Sequence, residues 1–230
     1  MLTTLGLMAI MAALASCDCL LEDKLIDKLL GGYNINVIPT TEDEPVVTVK
    51  HGMNAIKIVK FDHKVLTLET WNFMEWHDAS LTWDPDHYHN VTSTEILHKQ
   101  IWTPDIVEYS YNEHYQPHYE DLRVSVSYTG KVTYVPVSIS DLACEVSKSG
   151  EEIYTCQVKL GSWVYSGSKL NLKNQNEVVQ LNDFVEDPDW AITNSTVVRN
   201  VAKYSCCSES YPNLVYTVEL RPKHHRHHCG

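Results

Sequence analysis

The run Tyr204-Ser205-Cys206-Cys207-Ser208-Glu209-Ser210-Tyr211 places two adjacent cysteines between two tyrosines. A disulfide between chain neighbours is geometrically demanding, because adjacent Cα atoms lie about 3.8 Å apart and disulfides usually span roughly 4.4–6.8 Å. If it forms, such a ring stiffens a loop tip while barely constraining the unfolded chain. Otherwise the two thiols pair elsewhere, with Cys17 and Cys19 as partners. Cys144 and Cys156 would close a loop over residues 145–155, worth on the order of 3 kcal/mol by the chain-entropy argument. The tail His224, His225, His227, His228 and Cys229 has metal-ligand chemistry but reads as a solvated terminus, so no metal site is assigned. Cys229 is the odd thiol if Cys17 pairs with Cys19. There is no Gly-x-Ser-x-Gly, no His-Glu-x-x-His and no close acid pair with a clear site. No cofactor is expected, and a secreted hydrolase is set aside.

Strands are the elements that must position these residues. The 230 residues, 43% hydrophobic and 21% charged, suit one globular domain. Thirteen Tyr, six Trp and only nine Gly favour a β-rich fold. Leu21, Leu25 and Leu29 recur at helical spacing with charged residues between them, and Gly31-Gly32 stops the run. From Pro45 onward the period becomes two. Leu66, Leu68, Met74 and Trp76 share one parity and Val65, Trp71 and Phe73 the other, so the sets point to opposite faces. Further strands are expected over Leu122–Tyr128, Val132–Ile139, Ile153–Trp163 and Leu214–Leu220. Turn signals at Tyr128-Thr129-Gly130-Lys131 and Asp187-Pro188-Asp189 separate them. The expected fold is all-β, an immunoglobulin-like sandwich of about ten strands behind one N-terminal helix.

Met1–Ala15 is an apolar, uncharged run ending in Ala13-Leu14-Ala15, a small-x-small cleavage pattern of a secretory signal. It is too short for a membrane span of about 20 residues. The division expected is a signal over 1–15, a binding domain over 16–222 and a His-rich tail over 223–230. An exported chain in an oxidising compartment makes its cysteines disulfide candidates before metal ligands. The sequons Asn90-Val91-Thr92 and Asn194-Ser195-Thr196 agree with that compartment and mark Asn90 and Asn194 as glycosylation candidates. A formal charge of −12 excludes nucleic acid as the expected partner and suits a cationic ligand.

The two cysteine pairs, in this order, resemble the Cys-loop receptor family, and the adjacent pair narrows the resemblance to nicotinic α-type subunits. Trp102-Thr103-Pro104-Asp105 matches the family's W-x-P-D signature, with Tyr109 where the first aromatic binding segment carries its tyrosine. Gly161-Ser162-Trp163 follows the second loop cysteine, which places Trp163 at the principal cation-binding tryptophan. Tyr204, Cys206, Cys207 and Tyr211 fit Y-x-C-C-x-x-x-Y without a gap. Trp71, five residues before Trp76, fits the tryptophan given by a neighbouring subunit, and Ser125, Thr133 and Val135, counted around Gly130, resemble the variable positions of the complementary face. The resemblance covers roughly residues 20 to 222. It implies disulfides Cys144–Cys156 and Cys206–Cys207 and a homopentamer with sites between subunits. The principal face would carry Tyr109, Trp163, Tyr204, Cys206, Cys207 and Tyr211; the complementary face, Trp71, Ser125, Thr133 and Val135. The ligands implied are acetylcholine, nicotine and related cations. A quaternary ammonium has no N–H to donate, so a site for it must offer aromatic faces.

Departures from the family shape the expectation further. Receptors carry Phe-Pro-Phe-like residues within the Cys-loop, where it meets the membrane domain; here residues 145–155 are polar and the loop is shorter. Lys159 matches the lysine of the agonist relay, but its usual Asp partner is Asn213. The chain beyond Leu220 continues as Arg221-Pro222-Lys223, and no membrane insertion is expected. These features resemble the secreted, soluble acetylcholine-binding branch of the family. The alternative is the ectodomain of a nicotinic receptor subunit, released by truncation or splicing.

Overall fold

The computed structural model describes residues 22–109, 121–147, 152–205 and 207–223. The expected signal over 1–15, Cys17, Cys19, Leu21, Cys206 and the tail from His224 onward lie outside the described residues.

A helix, α1, spans residues 22–30. Leu25 and Leu29 are one helical turn apart, which aligns them on one face, and both are buried in the core. The Gly31 amide donates to the Asp27 carbonyl at 2.9 Å. Gly32 then turns left-handed at φ +84°, a conformation glycine adopts without a Cβ penalty. The helix ends where the glycine pair predicts.

Eleven strands follow among the described residues: β1 Val47–Phe61, β2 Val65–Thr82, β3 Ser93–Leu97, β4 Ile106–Glu108, β5 Arg123–Ser127, β6 Thr129–Tyr134, β7 Val137–Val146, β8 Tyr154–Ser162, β9 Leu170–Asn174, β10 Trp190–Lys203 and β11 Ser210–Pro222. Their hydrogen-bonded order is β10-β11-β8-β7-β2-β6-β5-β3, with β1 on β2 and β9, and β4 on β8. All pairings are antiparallel except β1 with β9. The result is an antiparallel sandwich behind the helix. β7 joins its halves: Val137–Ala143 pairs with β2, and Ala143–Val146 pairs with β8. Cys144 and Cys156 face each other in that second stretch and are joined by a disulfide. No helix among the described residues is long and apolar enough to cross a membrane.

The alternation in β2 places its side chains as period two requires. Leu66, Leu68, Met74 and Trp76 are buried, whereas Trp71 stands 37% exposed on the other face. Burying each such core side chain stabilises by about 1.5–3 kcal/mol. One expected strand is divided: Val132–Ile139 is interrupted at Val135-Pro136 between β6 and β7. Proline has no N–H to give a ladder, and the Pro136 carbonyl instead accepts from the Asn72 amide at 2.9 Å. Asp187 forms the expected turn, its Oδ1 accepting from the amides of Asp189 and Trp190 at 2.9 Å each.

Candidate functional site

Three segments converge outside β8. The first is the run after Trp102, which is buried edge-on against Trp76 with ring centroids 5.9 Å apart. That packing fixes Asp105, whose carboxylate organises the second segment. The Ser162 hydroxyl donates to Asp105 Oδ1 at 2.6 Å, and the Val164 amide donates to Oδ2 at 2.7 Å. The Trp163 amide donates to the Asp105 carbonyl at 3.2 Å, and the Tyr165 amide to Ser162 Oγ at 2.7 Å. Trp163, just past the end of β8, is thereby held by its backbone while its side chain remains free. The residue is 71% exposed.

Tyr109 follows β4. Its amide donates to the Lys159 carbonyl at 2.8 Å, and its hydroxyl donates to the Ser162 carbonyl at 3.0 Å. A Cβ at Gly161 would collide with the Tyr109 hydroxyl and ring, so only glycine lets that ring lie against the strand. Burial pushes the Tyr109 hydroxyl up to about 12, helped by the nearby Tyr204, Asp105 and Tyr211. The group stays neutral.

The third segment is the hairpin of β10 and β11, whose ladder closes at Lys203 opposite Ser210. Tyr204 and Tyr211 flank its tip, with ring centroids 5.7 Å apart at 61°. The Cys207 amide donates to the Tyr204 carbonyl at 3.2 Å. Cys207 is disulfide-bonded, and Cys206, named above as its partner, lies outside the described residues. The Gly167 amide donates to the Ser210 carbonyl at 2.7 Å and ties the Trp163 loop to this hairpin.

Together Tyr109, Ser162, Trp163, Tyr204, Cys207 and Tyr211 line an open cleft of about 400 Å³. Among the described residues no carboxylate lines it. Its attraction for a cation resides in ring faces, each worth about 0.5–2 kcal/mol when well placed. The Lys159 ammonium lies behind the cleft, 5.2 Å from the Tyr109 centroid and 5.8 Å from that of Tyr204. It donates to the Tyr204 hydroxyl at 3.4 Å. Asn213 is buried and turned elsewhere, its Nδ2 donating to the Tyr211 carbonyl at 3.4 Å.

The remaining sequence-predicted residues gather on a separate surface. Thr133 pairs with Glu75 on one side and with Ser125 on the other. Trp71 shares Glu75's face of β2, and Val135 shares Thr133's parity one step beyond β6. Trp71, Ser125, Thr133 and Val135 thus occupy one outer face of β2, β6 and β5, with Trp71 37% and Val135 40% exposed. None of them lines the cleft. Asn90, at φ +63°, and Asn194, in β10, are both exposed.

A polar cradle for the Trp163 loop, a glycine seat for Tyr109 and a cysteine-bearing hairpin tip meet here on one sandwich. The profile of the neurotransmitter-gated ion-channel ligand-binding domain family matches residues 22–224. The chain belongs to that family. This ligand-binding domain is 34% identical over 204 residues to neuronal acetylcholine receptor subunit alpha-2 of Rattus norvegicus, covering 87% of this chain and 40% of that protein. It is 33% identical over 204 residues to the alpha-4 subunit of Homo sapiens, covering 87% of this chain and 32% of that one. The chain therefore spans about two-fifths or less of these receptor relatives. Its fold matches that of the Capitella teleta AChBP solved with lobeline, at a TM-score of 0.78 and 23% identity, over 89% of this chain and 99% of that one. Family and fold are those of ligand-binding proteins and receptors, not of an enzyme.

Three residues that shape the site carry roles the sequence reading did not assign. Ser162 and Gly161 were legible only as the lead-in to Trp163, and Asp105 only as part of a signature. The signal that could have exposed them is chemical: a small residue and a short hydroxyl before an exposed Trp need a nearby acceptor.

Proposed function

We propose that this domain binds acetylcholine and nicotinic cations at sites completed between neighbouring subunits of a homopentamer, and that it acts as a secreted protein without channel activity. Tyr109, Trp163, Tyr204, Cys206, Cys207 and Tyr211 form the principal half of each site. Trp71, Ser125, Thr133 and Val135 of the next copy form the complementary half. One observation carries this reading. The aromatic cleft is open on one side, and the matching exposed tryptophan, Trp71, lies on a different surface of the same chain. A small cation held only by the cleft would keep part of its surface in water, and a second subunit presenting Trp71 would cover it. The net charge of −12 favours approach of a cation. The ligands named with the relatives, acetylcholine and lobeline, are of this chemical kind.

The test combines mass with affinity. Light scattering should give about five times the monomer mass, and calorimetric titration of that species should show acetylcholine and nicotine binding. A clean monomer that binds nicotine at full strength refutes the intersubunit site. A pentamer indifferent to both ligands refutes the ligand assignment. A second reading is favoured by coverage: the chain spans 40% of its alpha-2 receptor relative, as the ectodomain part of a receptor subunit would. Co-purification with receptor subunits, in place of homopentamer formation, would select it.

A further inference from the structure

The core behind the cleft is polar where a sandwich is expected to be oily. Thr70 and Asn72 occupy core-facing positions of β2, and Ser138 and Ser140 face them from β7; all four are buried. Thr70 Oγ1 meets Ser138 Oγ at 3.2 Å and Ser140 Oγ at 3.1 Å. Asn72 Nδ2 donates to Thr70 Oγ1 at 3.2 Å and to Ser138 Oγ. On the other face of the same strand pair Thr67 donates to Asp141 Oδ1 at 2.6 Å. Glu108, the last residue of β4, is 9% exposed beside Ser140 and Asp141, close enough to their hydroxyl and amide to feel them but not in hydrogen-bond geometry.

Acceptors outnumber donors in this cluster. Among the described residues both Glu108 oxygens and Asn72 Oδ1 are buried with no hydrogen-bond partner, a costly state. An ionised carboxylate would add to that surplus; a protonated one supplies the missing donor. The chain of contacts ends at two informative places: Glu108 precedes Tyr109 of the cleft, and Asn72 follows Trp71 of the other surface. Among the described residues β4 is three residues long and pairs with β8 alone, so the anchoring of Glu108 bears directly on where Tyr109 sits.

We propose that Glu108 is a positioning residue that acts as the neutral acid, holding the Tyr109 strand onto the hydroxyl cluster that backs Trp71 and so linking the two half-sites of one subunit. Ionisation favours release of β4 toward water and weakens the cleft. Burial, with the Asp141 charge adding to it, raises Glu108 to about 7, against smaller opposing effects of the Ser140 and Asp141 donors. Asp141 of β7 is the charged group acting on Glu108 among the described residues. β8 sets Leu160 opposite it, Thr70 of β2 meets the neighbouring Ser140, and Lys159 lies over the Tyr109 ring instead.

This inference rests on the ligand reading above, so its test carries a ligand-free arm. Calorimetric titration with carbamoylcholine, a permanent cation, from pH 6 to 8 should show affinity falling about fivefold to tenfold in the wild type. Glu108→Gln should keep the low-pH affinity throughout, and Ser140→Ala should move the midpoint of the wild-type profile upward. A flat wild-type profile, a Glu108→Gln variant that retains the slope, or an unmoved Ser140→Ala midpoint overturns the proposal. Absence of binding in every protein at every pH refutes the ligand reading instead. Thermal unfolding without ligand then decides: the wild-type Tm should fall relative to Glu108→Gln between pH 5 and 7.5, and parallel curves overturn the proposal.

Discussion

Trp163 lines the cleft and Trp76 lies in the core, so truncating them should have opposite signatures. Trp163 is 71% exposed and Trp76 only 2%. A tryptophan buries up to about 250 Å², so the covered fraction of Trp163 is about 70 Å². At about 25 cal/mol per Å² this is about 2 kcal/mol, an upper bound because unfolded chains are already partly compact. Trp163→Ala should therefore leave the subunit folded. Removing a fully buried aromatic costs about 3–5 kcal/mol. At roughly 2–4 °C per kcal/mol for a chain this size, Trp76→Ala should lower the Tm by about 6–20 °C. Affinity should invert the order. Loss of a central aromatic typically costs 2 kcal/mol or more in binding, or about thirtyfold, and Trp163→Phe should cost less because a weaker ring remains. Calorimetric titration with acetylcholine on the folded, assembled fraction of each variant measures the two effects apart. Near-normal affinity in a folded Trp163→Ala assembly would refute the assignment of its ring face to the ligand cation.

Two further perturbations address the frame of the site. Gly161→Ala forces the Tyr109 ring away from β8, and about tenfold or greater loss of affinity with a modest change in Tm is expected; unchanged acetylcholine affinity would show that Tyr109 does not need its present seat. His51 is fully buried beside the Tyr216 hydroxyl at 2.7 Å, and burial lowers it to about 4. Between pH 4 and 6.5 the unfolded chain binds the extra proton, so stability rises with pH there. Up to about 3 kcal/mol is present above pH 6.5 and lost as pH falls through 4. Urea unfolding of wild type and His51→Gln across that window checks this, and equal pH slopes would contradict it.

Much of the site was legible because its signals are local. The alternation of Leu66, Leu68, Met74 and Trp76 against Trp71 assigns faces without any knowledge of partners, since side chains alternate along every strand. The helix stop at Gly31-Gly32 is equally local, and the Y-x-C-C-x-x-x-Y and W-x-P-D runs carry the family resemblance in their spacing. Pro136 was a local signal too; the expected strand Val132–Ile139 read across it although a proline cannot donate to a ladder.

Only the tertiary structure decided the contacts between residues far apart in sequence. Asp105 is a signature residue in the chain, but in space it accepts from Ser162 and Val164 and so aims Trp163. Gly161 is one small residue in a strand until the Tyr109 ring lies where its Cβ would be. Nothing in the residues around Glu108 marks it for burial. Its burial follows from β4 closing over Ser140 and Asp141 of β7. Composition and periodicity describe which face a residue takes, but not what the other layer places against it. The same limit governs the two aromatic surfaces. Their residues were named from the family resemblance, while their separation onto different faces of one subunit comes from the order in which β11, β8, β7, β2 and β6 hydrogen-bond across the sandwich.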